Sequence, residues 1–228
     1  MKNDKKTAAE MLDYVQTKYG GSFTAEAFEE SGLMPELYGS DKMMVHPAGQ
    51  PELPFYVYKK GKTDSYTDNY LEASLSVHYT DKHIAEVMQL DERDIAVKFR
   101  LGFAGTLDDK SLLDADPDTA LSAISHPTML YLYTGVKGSK GDNRTESEFL
   151  HRLYRYMMEL TDRDFTVVVA YIDEEDYEKA DRLLRIAHTV NFSWSMLDDP
   201  EVSVAWFERG DDVQDASFFL QRLGGEQG

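Results

Sequence analysis

Apolar and polar positions along the chain predict secondary structure most clearly between Met129 and Ile172. Two runs there, MLYLYT and FTVVVAYI, are apolar on both faces, which is typical of strands inside a sheet. Between them lie a loop rich in Gly and Lys and a helical pattern of apolar residues. Thr145 and Glu148 form a capping box that predicts where this helix begins. We therefore expect a strand, a loop, a helix and a second strand at the centre of the fold.

The front of the chain has shorter signals. Thr7 and Glu10 form another capping box, followed by an apolar helical stripe that Gly20-Gly21 ends. A helix is also expected from Tyr66 to Tyr79, with Asp81 as the cap of a continuation; a strand is the alternative for SLSVHY, whose apolar residues also alternate. Short apolar runs predict strands over 22–28, 42–46 and 55–59.

The strand Ile95–Phe103 is predicted by strict alternation of large apolar residues with polar or small ones. The elements expected after it are a helix from Pro117 capped by Asp116, a helix capped by Asp173, a strand marked by Val202, Val204 and Trp206, and a short helix over 218–223. From Ile95 onward strands and helices thus alternate, whereas the front half resembles hairpins.

This mixture predicts an α+β fold: a mixed β-sheet with packed helices and alternating β/α order in the C-terminal half. The predicted domains are an N-terminal α+β lobe, residues 1–104, and a C-terminal β/α lobe, residues 105–228. A single compact domain is the alternative.

Composition narrows the classes of partner. The 228 residues are 42% hydrophobic and 29% charged, which is typical of a globular protein. The net charge of −18 repels phosphate backbones, so we expect no nucleic-acid partner, and it permits a basic protein partner. No cysteine is present, which excludes disulfides and thiolate chemistry. No run reaches the roughly 20 apolar residues of a transmembrane segment.

The front of the chain resembles a group of known proteins. The stretches DYVQTKYGGSF (Asp13–Phe23) and YTDNYLEASLSVHY (Tyr66–Tyr79) are similar to those of uncharacterised proteins exported by Gram-positive bacteria, many of them lipoprotein ectodomains. The resemblance covers roughly the first 90 residues. It implies an extracytoplasmic location, secreted or held by a lipid anchor upstream of this chain. A cytoplasmic location is the alternative.

The loop after Met129–Thr134 is the candidate site. Its residues are Gly135, Lys137, Gly138, Lys140, Gly141, Arg144 and Thr145. The glycines let the backbone turn, the basic side chains add positive charge, and the N–H groups of a following helix can bind an anion. Ligands of open α/β sheets also lie at the carboxyl ends of strands. The spacing matches neither a Walker A loop nor G-x-G-x-x-G, so a solvated connection is the competing interpretation.

Other chemistry has weaker signals. The six histidines are scattered and form no H-E-x-x-H pair. Asp114, Asp116 and Asp118 have the spacing of a calcium loop, but Thr119 and Ser125 replace its Gly and its bidentate Glu. No G-x-S-x-G occurs. The aromatic residues between 50 and 80 are expected in the core. We therefore expect no catalytic residues, no metal and no cofactor.

Three functions remain open. The favoured one is a non-enzymatic bacterial binding or interaction domain outside the cytoplasm, with an unknown protein or small-molecule ligand. The second is an enzyme that acts on a small anionic or phosphorylated substrate at the 135–145 loop. The third is an acidic, immunity-type partner of a basic protein.

Overall fold

The computed structural model describes residues 2–30, 40–61, 63, 65–124, 127–189 and 203–224. The elements are α1 (Lys2–Tyr19), β1 (Phe23–Glu29), β2 (Lys42–Pro47), β3 (Phe55–Lys59), β4 (Tyr66–Asp68), α2 (Tyr70–Met88), β5 (Ile95–Phe103), α3 (Ser111–Asp114), α4 (Pro117–Ala123), β6 (Pro127–Lys137), α5 (Asn143–Leu160), β7 (Asp164–Ile172), α6 (Tyr177–Leu184), β8 (Ser203–Glu208) and α7 (Ser217–Gly224). Val202, one of the residues that marked the last predicted strand, lies outside the described residues.

The chain divides into two compact units. The first comprises residues 1–75 and 103–125, and the second residues 76–102 and 126–228. Each unit contains one four-stranded sheet, in the orders β1-β2-β3-β4 and β5-β6-β7-β8. The α+β fold with packed helices is therefore confirmed, and so is the alternation of strands and helices after Ile95.

The first unit is an antiparallel meander packed against helix α1. Each strand pairs antiparallel with the next, with Val45 opposite Phe55 and Val57 opposite Asp68. Met11 and Val15 of the helix are fully buried, and so are Val45, Phe55 and Val57 of the sheet. The rings of Phe55 and Tyr70 lie 4.7 Å apart, so the aromatic residues of this region contribute to the core, as predicted.

The second unit has helices on both faces of a mixed sheet. Strands β6 and β7 are parallel, and β8 pairs antiparallel with β7 as an edge strand. On one face, the ring of Tyr154 in α5 contacts those of Phe165 and Phe207. The buried residues of the other face form one cluster with helix α6: Ala96, Tyr133, Ala170, Ile172, Ala180, Leu184 and Ala187.

Two predicted helix starts in the front half are wrong. Helix α1 begins at Lys2 rather than Thr7, because the residues before Thr7 include no Gly or Pro that would stop a helix. Thr7 is a buried helical residue and not a cap. Tyr66 belongs to β4, and α2 begins at Tyr70, whose N–H donates to Asp68 (3.0 Å). Asp81 lies inside α2 and caps nothing.

Two caps in the second unit also differ from prediction. Asp142, not Thr145, caps α5, because its carboxylate accepts hydrogen bonds from two helix amides whereas a hydroxyl usually accepts one. Asp173 does not cap α6; it is part of a turn in which its carbonyl accepts the Asp176 N–H (3.0 Å). The predicted cap at Asp116 is confirmed, since its carboxylate accepts the Thr119 N–H.

In the described part of the chain, no helix combines the length and the apolar character that crossing a bilayer requires.

Candidate functional site

The predicted anion loop begins inside the sheet. Strand β6 continues three residues beyond Thr134, because its ladder with β7 extends through Gly135↔Ala170 to Lys137↔Ile172. Gly135 is consequently buried between neighbouring strands. The chain turns at Gly138, whose φ of 99° favours glycine. Of the predicted loop, residues 138–142 are the part that connects β6 to α5.

The protein's own carboxylates accept the hydrogen bonds of the amides at this helix start. Asp142 accepts from the N–H groups of Arg144 and Thr145, both at 3.1 Å. Glu146, whose side chain is fully buried, accepts from the Gly141 N–H at 2.7 Å. The hydrogen bonds from Thr145, its hydroxyl first, lower the pKa of Asp142. An external anion would have to compete with these two carboxylates.

Arg93 lies between two carboxylates in the same place. Its Nε and Nη2 donate to Asp91 at 2.8 Å each, and its Nη1 and Nη2 donate to Glu146 at 2.7 and 3.1 Å. Both contacts are bidentate, the geometry that a guanidinium suits best. Burial raises the pKa of Asp91, but the hydrogen bonds from Arg93 outweigh it and the pKa is lowered. We call Asp91, Arg93 and Glu146 the Arg93 cluster.

The predicted basic residues form ion pairs or line the surface. Lys137 lies 3.3 Å from Glu174 and 3.8 Å from Asp94. The exposed side chain of Arg144 pairs with Glu148 at 3.3 Å. Lys140 is half-buried. The structure therefore brings Gly141, Arg144 and Thr145 together at the helix start and leaves Lys137 on the strand, with its charge balanced.

A cleft of about 680 Å³ opens beside the loop. Ser139, Gly141 and Thr145 line one side, and the turn Gln89–Arg93 lines another. Arg152 also lines the cleft and donates from Nε to the Leu90 carbonyl at 2.9 Å. Part of the predicted site thus borders a cavity large enough for a small ligand.

The residues that sequence reasoning missed here are Asp91, Arg93 and Glu146. Arg93 and Glu146 are 53 positions apart, so no local spacing connects them. Only the run DERD before a strong strand pattern could have drawn attention to Arg93. The Arg93 guanidinium also lies 5.5 Å from the ring centre of Phe149 and 5.7 Å from that of Tyr171.

A second buried polar cluster lies in the first unit. Asp68, whose side chain is fully buried, accepts hydrogen bonds from Tyr14 (2.9 Å), Tyr19 (2.7 Å) and Lys18 (2.8 Å). Lys18 also pairs with Asp108 at 2.9 Å. We call these five residues the Asp68 cluster. It connects α1, β4 and the segment after β5, within the first unit.

Lys and Tyr side chains can act as acids, bases or nucleophiles when their pKa is lowered towards neutral pH. In the Asp68 cluster the pKa values of the lysine and both tyrosines are raised instead. Burial, with the charge of Asp68, raises the pKa of Tyr14 to about 12, and that of Tyr19 further. Burial alone would lower the pKa of Lys18, but its hydrogen bonds to Asp68 and Asp108 raise it. At neutral pH the lysine is charged and both tyrosines are protonated.

Other candidate ligands lie apart. Asp116 is engaged as the cap of α4, and the described residues include no group of three or more His, Asp or Glu side chains that could hold a metal ion. His46 lies 3.7 Å from Glu26, and His83 lies 3.3 Å from Glu86.

A further cavity, of about 350 Å³, lies in the second unit where β8 meets α7. Trp206 and Phe219 line it, together with Arg222. Trp206 is 59% exposed, and Val204 on the same strand is 39% exposed. Alternation had predicted the strand but not that its tryptophan is exposed while Phe207 is buried. We call Val204, Trp206 and Arg222 the β8–α7 surface.

Comparison with known proteins relates the fold to one solved structure. No family model and no curated protein sequence matches the chain. The fold is similar to the crystal structure of a DUF5037 family protein from Ruminococcus gnavus ATCC 29149, with a TM-score of 0.57. The two chains are 17% identical, and the alignment covers 95% of this chain and 98% of the other. At this identity the likeness shows the fold alone.

Proposed function

We propose that this chain is a non-enzymatic binding or interaction domain of a bacterial protein and that it works outside the cytoplasm. The observation that carries the proposal is the β8–α7 surface. Trp206 is 59% exposed, and Val204, two positions earlier on the same strand, is 39% exposed. Contiguous exposed apolar side chains beside a cavity are typical of surfaces that bind a ligand or a partner.

The polar clusters support a structural rather than a catalytic use of the buried charges. The carboxylates of the Asp68 cluster and the Arg93 cluster accept hydrogen bonds from neighbouring side chains at 2.7 to 3.1 Å. The raised pKa of Tyr14, Tyr19 and Lys18 disfavours proton transfer at neutral pH. These clusters stabilise the two units and leave binding to the surface.

The location is supported by the resemblance of the first 90 residues to exported proteins, and bacterial origin also by the bacterial source of the structural neighbour. The test is fractionation of the cells that encode the protein, together with the start of its gene. We expect a signal peptide with a lipobox or a secretory cleavage site upstream, and protein in the membrane or external fraction. Protein confined to the cytosol would refute the location.

Binding at the β8–α7 surface is tested by photo-crosslinking. A photoreactive phenylalanine analogue replaces Trp206 and, as a matched control, Glu174, whose side chain is 84% exposed in the same unit. After illumination of living cells, intact-mass measurement should detect a discrete adduct from position 206 only. Equal adduct patterns at both positions, or none at 206, would contradict the proposal.

A second candidate function is an enzyme acting on a small anionic or phosphorylated substrate. The observation in its favour is the 680 Å³ cleft, which Ser139, Gly141, Thr145 and Arg152 line. Thermal-shift measurements with phosphate and phosphorylated metabolites test it, because a ligand at 100 times its Kd stabilises by about 2.7 kcal/mol. Stabilisation that Arg152→Met removes would favour this function over the first.

A further inference from the structure

The cavity between β8 and α7 has the composition of a small-molecule site. Its volume of about 350 Å³ lies within the range of roughly 300–1,000 Å³ typical of ligand pockets. Among the described residues, its lining combines five apolar side chains with four that have polar groups: Tyr171, Ser203, Trp206 and Arg222. A wall of this mixed character favours a ligand that has both an apolar ring and a polar group.

The mouth of the cavity has a flat aromatic wall. Trp206 is 59% exposed, which is unusual for a side chain of this size. The guanidinium of Arg222 lies 5.9 Å from its ring centre and 4.5 Å from that of Phe218. Arg222 is held in place by Asp211, to which its Nη2 donates at 2.8 Å. An exposed indole beside a fixed planar group suits a flat ring.

The charges disfavour an ionic ligand. Among the described residues of the lining, Arg222 is the one with a charged side chain, and Asp211 already balances it. The chain's net charge of −18 repels anions at longer range. A cation would meet the guanidinium at the mouth. The chemistry of the site therefore selects an uncharged ring.

Tyr171 adds a buried polar group beside the cavity. Its side chain lines the pocket and is 4% exposed. Burial, with the charge of Glu146 and a hydrogen-bonding interaction with it, raises the pKa of Tyr171, so this hydroxyl is engaged with the Arg93 cluster. Ser203, which pairs with Tyr171 across the strands, lies in the same lining, and its hydroxyl can donate to a ligand oxygen or nitrogen.

We propose that this cavity binds an uncharged, flat, one- or two-ring compound that has a hydrogen-bond acceptor, with its ring against Trp206. The inference rests on the proposed binding function and names the class of ligand for the same surface. Phe219 and Leu150 form the apolar floor. The ligand's acceptor faces the hydroxyl of Ser203.

The test uses 2-naphthol as an uncharged probe and 2-naphthoate as its anionic counterpart, with the full chain at pH 7. Binding is followed by NMR chemical shifts of the tryptophan indole N–H signals, with the signal of Trp206 identified from Trp206→Phe. We expect saturable binding of 2-naphthol with a Kd on the order of a few millimolar or tighter, as expected for about 11 non-hydrogen atoms. The anion should bind at least tenfold more weakly.

Three variants locate the site. Ala205→Leu fills the cavity and should abolish binding while the strand remains folded, since Ala205 lines the cavity on β8. Trp206→Leu removes the flat wall and should weaken binding three- to tenfold, followed here by the NMR signals of 2-naphthol because the indole N–H is lost. Leu220→Ala is the matched control, because Leu220 is 41% exposed and is not part of the lining. It should bind as the wild type does.

No saturable binding of 2-naphthol, unchanged binding by Ala205→Leu, or tighter binding of the anion would overturn the proposal. These failures differ from a failure of the proposed function. A protein adduct at position 206 combined with no 2-naphthol binding would refute the ring-shaped ligand but leave the proposed binding function standing. If neither an adduct nor 2-naphthol binding is found, both the ligand and the binding function are refuted.

Discussion

Replacement of Arg93 by methionine tests the role of the Arg93 cluster most directly. The guanidinium makes four hydrogen bonds, two to Asp91 and two to Glu146. Methionine keeps an apolar stem against Phe149 and removes the charge. Glu146, with no exposed side-chain surface, and Asp91, with 7%, would then be buried carboxylates without a cation.

The expected loss follows from the cost of leaving a buried charge unpaired, about 3–5 kcal/mol. The lower limit, about 3 kcal/mol, applies here for two reasons. The Arg93 side chain is 25% exposed beside the cleft, so water can reach the carboxylates in part. The Gly141 N–H also continues to donate to Glu146.

The assay is urea denaturation, followed by the fluorescence of Trp206 in a Trp194→Phe background, because Trp206 lies in the same unit as Arg93. With a slope of about 2 kcal/mol per molar, the midpoint should fall by about 1.5 M. Arg155→Met is the matched control: Arg155 pairs with Glu159 at 3.2 Å, with both side chains about 70% exposed. An exposed pair contributes about 0.3–0.5 kcal/mol, so its midpoint should fall by about 0.2 M.

Equal midpoints for the two variants would refute the reasoning, because the buried pair would then contribute no more than an exposed one. The variant Asp91→Asn/Arg93→Met/Glu146→Gln gives a further check. It leaves no unpaired charge, so it should recover part of the stability that Arg93→Met loses.

Three further outcomes follow from the second unit. Gly141→Ala should lower the free energy of unfolding in urea by about 1–2 kcal/mol, because a Cβ there would lie 2.9 Å from the Glu146 carboxylate oxygen that accepts the Gly141 N–H. Gly210→Ala is the control: a Cβ there has no atom within 4 Å, so the free energy of unfolding should change little. Asp91 has a lowered pKa when folded, so its stabilising effect is complete above its unfolded pKa and is lost as the pH falls through the folded value. Asp91→Asn should therefore lose less stability than the wild type as the pH falls below the ordinary aspartate pKa of about 3.9, and an equal loss would contradict this. Phe219→Ala should lower the free energy of unfolding by about 3–5 kcal/mol, because this 2% exposed ring packs 5.1 Å from Phe207; a loss near that of Leu220→Ala would contradict the packing.

Much of the local structure could be predicted from the sequence. The strand over 95–103 and the buried stripe of α5 follow from periodicity, and the cap at Asp116 follows from its place before Pro117. These features depend on neighbours within a few positions, so local patterns contain the information. The caps predicted at Thr7 and Thr145 were wrong because a competing local signal prevailed at each. Residues 2–6 contain no helix breaker, so α1 begins before Thr7. Asp142, three positions before Thr145, caps α5 instead.

The sequence predicted where the candidate site lies in the fold but not which groups form hydrogen bonds there. The sequence located the Gly/Lys loop at the end of a central strand, and the fold positions Ser139, Gly141 and Thr145 beside a cleft. It could not predict that Glu146 and Asp142 accept the hydrogen bonds of the loop and helix amides. That choice depends on Arg93, which neutralises the buried Glu146 from 53 positions away.

By itself, the sequence determined the α+β class, the acidic charge and the order of strands and helices after Ile95, because composition and short-range periodicity are properties of the chain. Tertiary structure alone decided which charges meet. Lys18 reaches Asp68 across 50 positions, and Arg93 reaches Glu146 across 53. It also decided that Phe207 is buried while Trp206 is exposed, since burial depends on which side of an edge strand its neighbours cover.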